Sequence, residues 1–251
     1  MQLRERNMVV FENVSFGYTH KKVLKAVNLK IKKGQSVGIV GANGAGKSTL
    51  IKLMTGLIIP TEGRVLVDGM DVSSKAIKAI RKKVGYTFQD PNHQLFMPTV
   101  FEDVAFGLRQ EGLSKKEVED RVRKILKEVD ALHLSDRPSY TLSGGEKRTI
   151  TLATALSTNP EILILDEPSI GLDPRSRRGL IRLLTTRNET KIITTHDMDM
   201  ALDLCDRIIV LYEGKIQGDG EPMTIFKNKA LLCQSHLELP LRMQGCPVCS
   251  K

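Results

Sequence analysis

The sequence predicts an α/β protein with a mainly parallel sheet, an N-terminal antiparallel β subdomain and an inserted α-helical subdomain. The evidence is a pair of early segments in which apolar and polar residues alternate, a later series of short apolar runs, and a charged helical segment between two of those runs. The 251 residues, 41% hydrophobic and 27% charged, suffice to bury a core. We assign residues 1–226 to one domain, with the helical subdomain at about 88–160, and residues 227–251 to a C-terminal tail.

The two early segments run from Val9 to Tyr18 and from Val23 to Ile31. In the second segment, polar residues separate Val27, Leu29 and Ile31. Because successive side chains of a strand point to opposite faces, this period of two indicates half-buried strands. We expect these strands to form an antiparallel sheet.

Short apolar runs follow, and helical patterns separate them. They are SVGIV (36–40), GYTF (85–88), EILILD (161–166), KIITT (191–195) and RIIVL (207–211). Continuous apolar runs are typical of parallel strands buried on both faces. In the charged segment between 88 and 160, a predicted helix has one apolar face, formed by Val118, Val122, Ile125, Leu126 and Val129.

A glycine-rich stretch, GIVGANGAGKST, follows the first apolar run and precedes a helical pattern. It contains the P-loop pattern G-x-x-x-x-G-K-[ST] in the expected context, which predicts a P-loop NTPase core rather than a glycine-rich turn with an incidental lysine. Glycines let backbone N–H groups converge on a phosphate, and the helix N-terminus adds partial positive charge. Lys47 would reach the β and γ phosphates, and the Ser48 hydroxyl would bind Mg²⁺. The residues assigned to nucleotide binding here are Gly41, Asn43, Gly44, Ala45, Gly46, Lys47, Ser48 and Thr49.

Two carboxylates follow the buried run ILILDEP. Asp166 and Glu167 come at the carboxyl end of a strand, where α/β sheets place their ligands. Asp166 can hold Mg²⁺, and Glu167 can orient and deprotonate a water. The P-loop upstream favours this interpretation over a solvated strand end.

The stretch LSGGEKR follows a loop and opens a helix. Ser143 and Glu146 form an S-x-x-E capping box, which by itself is a structural device, but the two glycines between them bare the helix N-terminus for a second anion. Residues 41–49, 142–146 and 162–167, in this order, resemble the nucleotide-binding subunit of ABC transporters, with LSGGE similar to the signature motif. The resemblance covers roughly residues 8–226.

This resemblance implies an ATPase that works as a head-to-tail dimer with two ATP molecules sandwiched between the chains. Each ATP would contact the P-loop of one chain and Ser143, Gly144, Gly145 and Glu146 of the other, so a lone chain should hydrolyse ATP poorly. The sequence departs from the family pattern at Glu146, where Gln is commoner, and at Ile170, where a small residue is usual. Glu146 preserves the capping box, and Ile170 could alter packing at the dimer interface.

Further positions match motifs of the same family. Tyr18 resembles the aromatic residue that stacks on adenine, and Gln89 matches the Q-loop glutamine, which contacts Mg²⁺ and the attacking water. Asp173 in SIGLD resembles the D-loop aspartate, and His196, ending the strand IITTH, matches the histidine that senses the γ phosphate. The resemblance therefore gives catalytic roles to Gln89 and His196 beside Lys47 and Glu167. Singly, Tyr18 could be a core residue, Gln89 an edge polar residue and His196 a capped strand end.

The segment FQDPNHQLF carries Gln89 and a turn at Pro91 and Asn92. The continuation HQLFMPTVFEDVAFG resembles the cobalt, nickel and energy-coupling-factor (vitamin) importer ATPases. This resemblance implies that Leu95, Phe96 and Phe101 line a groove near Gln89, and that the groove receives a coupling helix of a membrane subunit. The alternative is that Phe96 and Phe101 are core residues. We assign His93 to hydrogen bonding within the loop, not to metal binding.

The expected function is ATP hydrolysis that powers uptake of cobalt, nickel or a vitamin through separate membrane subunits, together with a second ATPase subunit. The alternative is a soluble ABC ATPase that serves cofactor assembly. ABC ATPases of DNA repair carry long coiled-coil arms between the P-loop and the signature, and this chain has no such insertion. The +9 net charge favours an anionic partner, but with 4% aromatic residues and no Trp we expect no nucleic acid.

Neither a signal peptide nor a membrane-spanning stretch is evident in the sequence. We therefore expect a peripheral protein at the cytoplasmic face of the cell membrane. In the tail, Cys233, His236, Cys246 and Cys249 have a spacing like that of a small zinc site. The alternatives are a frayed tail with incidental cysteines or a dimerisation element, since no flanking strands support a zinc ribbon.

Overall fold

The computed structural model of this chain describes residues 6–18, 21–73 and 75–244. Contacts divide the chain into two compact units. The first unit comprises the chain up to residue 80 and from residue 190 onward, and the second comprises residues 81–189.

The strands and helices alternate along most of the chain. The strands are β1 (Asn7–Tyr18), β2 (Lys21–Lys32), β3 (Ser36–Val40), β4 (Glu62–Val67), β5 (Met70–Asp71), β6 (Val84–Thr87), β7 (Ile162–Asp166), β8 (Thr190–Thr194), β9 (Arg207–Tyr212) and β10 (Lys215–Gly220). The α-helices are α1 (Lys47–Met54), α2 (Ile77–Lys83), α3 (Val100–Arg109), α4 (Lys115–Glu128), α5 (Gly144–Ser157), α6 (Pro174–Thr185), α7 (Met198–Leu204), α8 (Pro222–Lys227) and α9 (Lys229–Gln234). Short 3-10 turns lie at Pro91–His93, Leu132–Leu134, Ser139–Thr141 and Leu241–Met243.

The antiparallel sheet of the first unit has the strand order β2-β1-β4-β5. Along β2, Val27, Leu29 and Ile31 are buried while the residues between them are exposed, which confirms the predicted period of two. Strands β4 and β5 were not predicted from the sequence. In β4 only Val65 and Val67 are buried, so the strand lacks a long apolar run.

The parallel strands of the first unit place β3 between β8 and β9. Every residue of β3 and β8 is buried, as expected for strands covered on both faces. Strand β10, which was not predicted, pairs antiparallel with β9. Strand β8 ends at Thr194, so His196 lies in the loop beyond the strand rather than at its end.

The second unit contains the parallel pair of β6 and β7 and the helices α3, α4 and α5. Gly85 of β6 allows α5 to approach, because an added Cβ would lie 2.4 Å from the Ala155 carbonyl oxygen. The predicted amphipathic helix is confirmed as α4, whose buried residues are Val118, Val122, Ile125 and Leu126. Val129 is its C-cap.

The described part of the tail packs within the first unit and is not frayed. The Arg242 guanidinium bonds to carboxylate oxygens of Asp199 and Asp203, each at 2.8 Å. The His236 ring stacks on Tyr212, with ring centroids 5.5 Å apart. These contacts anchor the chain beyond α9.

The zinc hypothesis gains no support from the described part of the chain. No group of three or more His, Cys, Asp or Glu side chains there could hold a metal ion. Cys233 is an exposed free thiol, and Cys246 and Cys249 lie outside the described residues. Among the described helices, none has the length and apolar character needed to span a bilayer.

Candidate active site

The predicted P-loop joins β3 to α1, and two of its glycines are required by the surrounding backbone and side chains. An added Cβ on Gly41 would lie 2.2 Å from the Leu211 carbonyl oxygen. Gly46 has φ +109°, and its Cβ would lie 2.8 Å from Leu24 Cδ2. Gly44 faces open space but has φ +78°, a conformation that glycine adopts without a steric cost. The backbone conformation of the loop therefore requires glycine, without a side chain, at these positions.

Lys47 begins α1 and is only 8% exposed. Its Nζ donates to the carbonyl oxygens of Gly41 at 2.7 Å and Ala42 at 3.2 Å. It also lies 3.1 Å from His196 Nε2. An ammonium group only donates, so Nε2 is the acceptor in this contact. The fold thus brings together a lysine and a histidine that the sequence assigned separately to phosphate contacts.

The remaining P-loop residues differ in exposure. Asn43 is exposed, Ala45 and Thr49 are buried, and Ser48 is half-buried at the start of α1. The Ala45 carbonyl accepts a hydrogen bond from Gly214 N at 3.1 Å, which fixes the loop to the β9–β10 turn. A hydroxyl at this position and a carboxylate such as Asp166 are oxygen ligands of the kind that Mg²⁺ prefers, so these residue types fit the ion.

Asp166 and Glu167 follow β7, and each is 4% exposed. On the neighbouring strand β6, burial raises the pKa of Tyr86, and the charge of Asp166 and a hydrogen bond to it raise that pKa further. The phenol therefore remains a donor to the Asp166 carboxylate. No role was predicted for Tyr86 from the sequence.

Glu167 has φ +51°, which is uncommon for any residue with a side chain. Its backbone carbonyl accepts hydrogen bonds from Arg148 Nη1 at 2.9 Å and from Ile170 N at 3.3 Å. Such strained conformations persist where surrounding contacts hold them, and they cluster at functional sites.

The capping box predicted at the start of α5 is present. Ser143 Oγ accepts from Glu146 N at 3.3 Å, and Glu146 Oε2 accepts from Ser143 N at 2.7 Å. The hydrogen bond from the Ser143 backbone lowers the pKa of Glu146. An added Cβ on Gly144 would meet nothing within 4 Å, and on Gly145 it would meet only Leu172 Cδ2 at 3.8 Å. The helix start is therefore open.

The segment 169–173 lies near this helix start within the second unit. Ser143, Gly145 and Asp173 line one cavity of about 820 Å³. The Asp173 carboxylate caps α6, accepting from Arg175 N at 2.8 Å and Ser176 N at 3.1 Å, so this residue has a structural role. Ile170 is 47% exposed. An exposed isoleucine adds little to the core of its own chain.

Gln89 is exposed, and its backbone carbonyl accepts a hydrogen bond from Arg148 Nη2 at 3.0 Å. The turn predicted after it is a 3-10 turn at Pro91–His93, capped by Asp90 through Asn92 N. Gln94, which the sequence analysis did not single out, fixes the loop to α5 by donating to the Thr151 carbonyl at 2.9 Å. His93 is exposed.

An exposed aromatic pair follows this loop. Phe96 is 66% exposed, so the alternative that it is a core residue is wrong. Its ring contacts that of Phe106, which is 43% exposed, with centroids 5.1 Å apart. Leu95 and Phe101 are partly buried. Phe106 was missed because it falls within an apolar helical pattern that predicts core packing.

Asp103 holds the loop that carries Phe96. Its buried Oδ1 accepts from the backbone N–H groups of Phe96 and Met97, both at 3.0 Å. Its other oxygen accepts from the Ser139 hydroxyl at 2.5 Å, just before the signature-like segment. One carboxylate therefore joins the aromatic loop to the turn that precedes α5.

The predicted site residues divide between the two units. Tyr18, the P-loop and His196 belong to the first unit, and Gln89, the residues 143–146, Asp166, Glu167 and Asp173 belong to the second. Tyr18 ends β1, is 46% exposed and packs edge-on against Phe16 at 5.0 Å. Its assignment to adenine stays a prediction.

A parallel sheet with a glycine-rich loop leading into a helix, together with an acidic pair at the end of β7, defines a P-loop ATPase. Residues 24–170 match the ABC transporter family. The chain belongs to this family and is an ABC ATPase subunit.

Two relatives illustrate the similarity. A putative ABC transporter ATP-binding protein of Geobacter sulfurreducens is 50% identical over 230 residues, 92% of each chain. The energy-coupling factor transporter ATP-binding protein EcfA of Methanocaldococcus jannaschii is 43% identical over 223 residues, 87% of this chain and 80% of EcfA.

Solved structures give the same family. CbiO1 of Clostridium perfringens, part of the ABC transporter complex CbiONQ, superposes with a TM-score of 0.81 at 36% identity, over 92% of this chain and 94% of CbiO1. The dimeric ATP-binding cassette MJ0796, in a post-hydrolysis state bound to ADP and Pi, gives 0.78 at 30% identity, over 86% and 99%.

Proposed function

We propose that this chain hydrolyses ATP to power uptake of a cobalt or nickel ion or a vitamin through separate membrane subunits. The observation that carries the proposal is the exposed aromatic pair of Phe96 and Phe106, just beyond Gln89 in the second unit. The likeness to EcfA and to CbiO1 of CbiONQ supports the importer class. The chain then acts as a peripheral protein at the cytoplasmic face of the membrane.

The P-loop binds the nucleotide in this proposal. Lys47 contacts the β and γ phosphates, and Tyr18 stacks on adenine. Ser48, Gln89 and Asp166 would hold Mg²⁺, which would neutralise charge on the phosphate oxygens. The contact between Lys47 and His196 supports a shared role for these two side chains at the γ phosphate.

Glu167 acts as the general base that orients and deprotonates the attacking water. Its burial and its fixed backbone favour this role, because a buried carboxylate is held in one orientation with little competing solvent. The Tyr86 hydroxyl donates a hydrogen bond to the Asp166 carboxylate and thereby orients that carboxylate.

A second ATPase subunit, identical or similar, completes each site in this proposal. The start of α5 at Ser143 offers open N–H groups beside Gly144 and Gly145, a surface suited to the phosphates of a nucleotide on another chain. The half-exposed Ile170 supports an apolar contact with that chain. The dimeric state of the MJ0796 cassette supports the same arrangement.

The exposed aromatic pair receives an amphipathic helix of the membrane subunit. Aromatic side chains supply large contact areas and dominate the binding energy of many interfaces. Asp103 accepts hydrogen bonds from the backbone of the Phe96 loop, so a docked helix would contact a loop that is held in place.

The test is capture of partners from detergent-solubilised native membranes, with the tagged chain as bait and mass spectrometry as the readout. Wild type should recover a small helical membrane protein, and Phe96→Ser should recover at least about tenfold less, since loss of one interface anchor costs about 2 kcal/mol. The matched control is Leu241→Ser, which changes a 76% exposed apolar residue of the first unit.

Recovery of soluble proteins alone would overturn the importer assignment and favour the assembly ATPase. Equal recovery by wild type and Phe96→Ser would overturn the docking surface while leaving the importer class intact. Zinc content of the purified chain tests the remaining hypothesis on Cys233, His236, Cys246 and Cys249, and less than about 0.1 equivalents would exclude a stable site.

A further inference from the structure

Arg148 lies on α5, two residues after the signature-like segment LSGGE, and connects two distant parts of the second unit. Its Nη1 donates to the Glu167 carbonyl at 2.9 Å, and its Nη2 donates to the Gln89 carbonyl at 3.0 Å. One planar guanidinium therefore fastens the backbone of the proposed general base to the backbone of the Q-loop glutamine.

The surroundings of this guanidinium combine burial with nearby negative charge. Burial lowers the pKa of Arg148, while the nearby carboxylates of Asp90, Glu167 and Asp166 raise it. The half-buried guanidinium donates to two backbone carbonyls, and these hydrogen bonds replace part of the lost hydration. The side chain consequently has little freedom to leave either carbonyl.

The contact with Glu167 is made where the backbone is strained. Glu167 has φ +51°, and a change in that angle would redirect its side chain. The Arg148 hydrogen bond to the same residue's carbonyl opposes such a change. The backbone conformation of Glu167 therefore depends on Arg148, which also donates a hydrogen bond to the Gln89 carbonyl.

Neighbouring residues of α5 do not duplicate this link. Lys147 donates to the side chain of Asn92 at 2.8 Å, an exposed contact. Thr149 donates to the Gly145 carbonyl at 3.1 Å within its own helix. In the described residues, Arg148 is thus the member of this run that touches Glu167.

We propose that Arg148 is a positioning residue that couples the Q-loop backbone at Gln89 to the backbone of Glu167, so that displacement of the Q-loop changes the orientation of the base. This inference rests on the proposed function, in which Glu167 activates water. A membrane subunit docked beside the Q-loop would then influence hydrolysis through one side chain.

The test compares Arg148→Gln and Arg148→Lys with wild type and with Arg123→Gln, whose arginine makes an exposed pair with Glu119 on α4. Steady-state hydrolysis by the full chain gives kcat and KM, and amide hydrogen exchange follows residues 88–90 and 166–167. We expect Arg148→Gln to lower kcat by about tenfold or more with KM for ATP within about twofold, because the P-loop is unchanged. Exchange should rise at both segments and stay constant in β3 and in the second half of α5.

Arg148→Lys should restore part of kcat, since an ammonium group reaches one carbonyl but cannot span both as a planar fork does. Exchange that rises evenly over the whole unit would show a merely structural role and overturn the proposal. Unchanged exchange of Arg148→Gln at both segments would also overturn the proposal. This outcome can be read even if the chain does not hydrolyse ATP by itself. Wild-type chain that neither binds nor hydrolyses ATP would instead overturn the proposed function.

Discussion

Two glycine-rich segments each lead into a helix of this chain: the P-loop before α1 in the first unit and residues 143–145 at the start of α5 in the second. In the P-loop, an added Cβ on Gly41 or Gly46 would lie within 3 Å of atoms of the same chain. At Gly144, among the described residues, nothing beyond its chain neighbours and the backbone of its own helix lies within 4 Å of that position. Gly41 and Gly46 of the P-loop therefore serve the fold, whereas Gly144 leaves room for something outside it.

The comparison extends to what each helix start holds. Lys47 donates to a carbonyl of its own loop and contacts His196, so residues of its own unit hold this side chain. The start of α5 carries a capping box, and an added Cβ on Gly144 would have open space around it. A capped helix with an open first turn is suited to an anion supplied by another molecule.

The largest effect is expected from Gly41→Ala. The new methyl group would lie 2.2 Å from the Leu211 carbonyl oxygen, so β9 or the loop must shift. Overpacking of this kind costs about 2 kcal/mol, and in a chain of this length that should lower the Tm by about 6 °C. Calorimetry checks the Tm, and ATP binding should be lost.

The matched control for Gly41→Ala is Gly179→Ala in α6, where an added Cβ meets nothing within 4 Å. This control should keep or raise the Tm, because alanine favours the helix by about 0.5–1 kcal/mol. A Gly41→Ala chain as stable as the control would show that the P-loop glycine is not sterically required.

Gly144→Ala should separate stability from activity. The Tm should stay the same or rise slightly, because the position is open and helical. Hydrolysis should fall by about tenfold or more, since a methyl group would cover the N–H groups offered to the second nucleotide. ATP binding by the single chain, measured by calorimetry, should not change. Full hydrolysis by Gly144→Ala would contradict the assignment of this helix start to a partner's nucleotide.

The smallest effect is expected from Glu146→Gln. The Ser143 backbone N–H lowers the folded pKa of Glu146, so its stabilising charge is present above the unfolded pKa of about 4.3 and is lost as pH falls through the folded pKa. The variant should have a Tm about 1–3 °C lower at pH 7, from about 0.3–1 kcal/mol. This difference should shrink as the pH is lowered toward 3.

Hydrolysis by Glu146→Gln should equal that of wild type at pH 7, because the glutamine amide also accepts a hydrogen bond from the Ser143 N–H. Glu119→Gln, on the exposed face of α4, is the control. A Tm difference for Glu146→Gln that grows as the pH falls would contradict the sign of the pKa shift.

The parts of the site that could be predicted from sequence are those whose chemistry is local. Short sequence spacing between a strand and a helix identifies the P-loop glycines and Lys47. Asp166 and Glu167 are identified by their place directly after an apolar strand. The capping box at Ser143 is likewise a local pattern and is confirmed.

What could not be predicted depends on contacts between distant residues. Arg148 meets Gln89 and Glu167 only in the folded second unit, and no pattern near Arg148 indicates either contact. Strands β4 and β10 were missed because each is covered on one side only and lacks an apolar run. Phe106 has an apolar helical context, so sequence alone assigns it to the core.

The most direct test of the account is ATP hydrolysis and ATP binding by Glu167→Gln. Glutamine keeps the size of the side chain but cannot accept the proton, so turnover should fall by about 100-fold or more while ATP binding is retained and ATP-bound dimers accumulate. Hydrolysis above about a tenth of the wild-type rate would contradict the assignment of Glu167 as the general base.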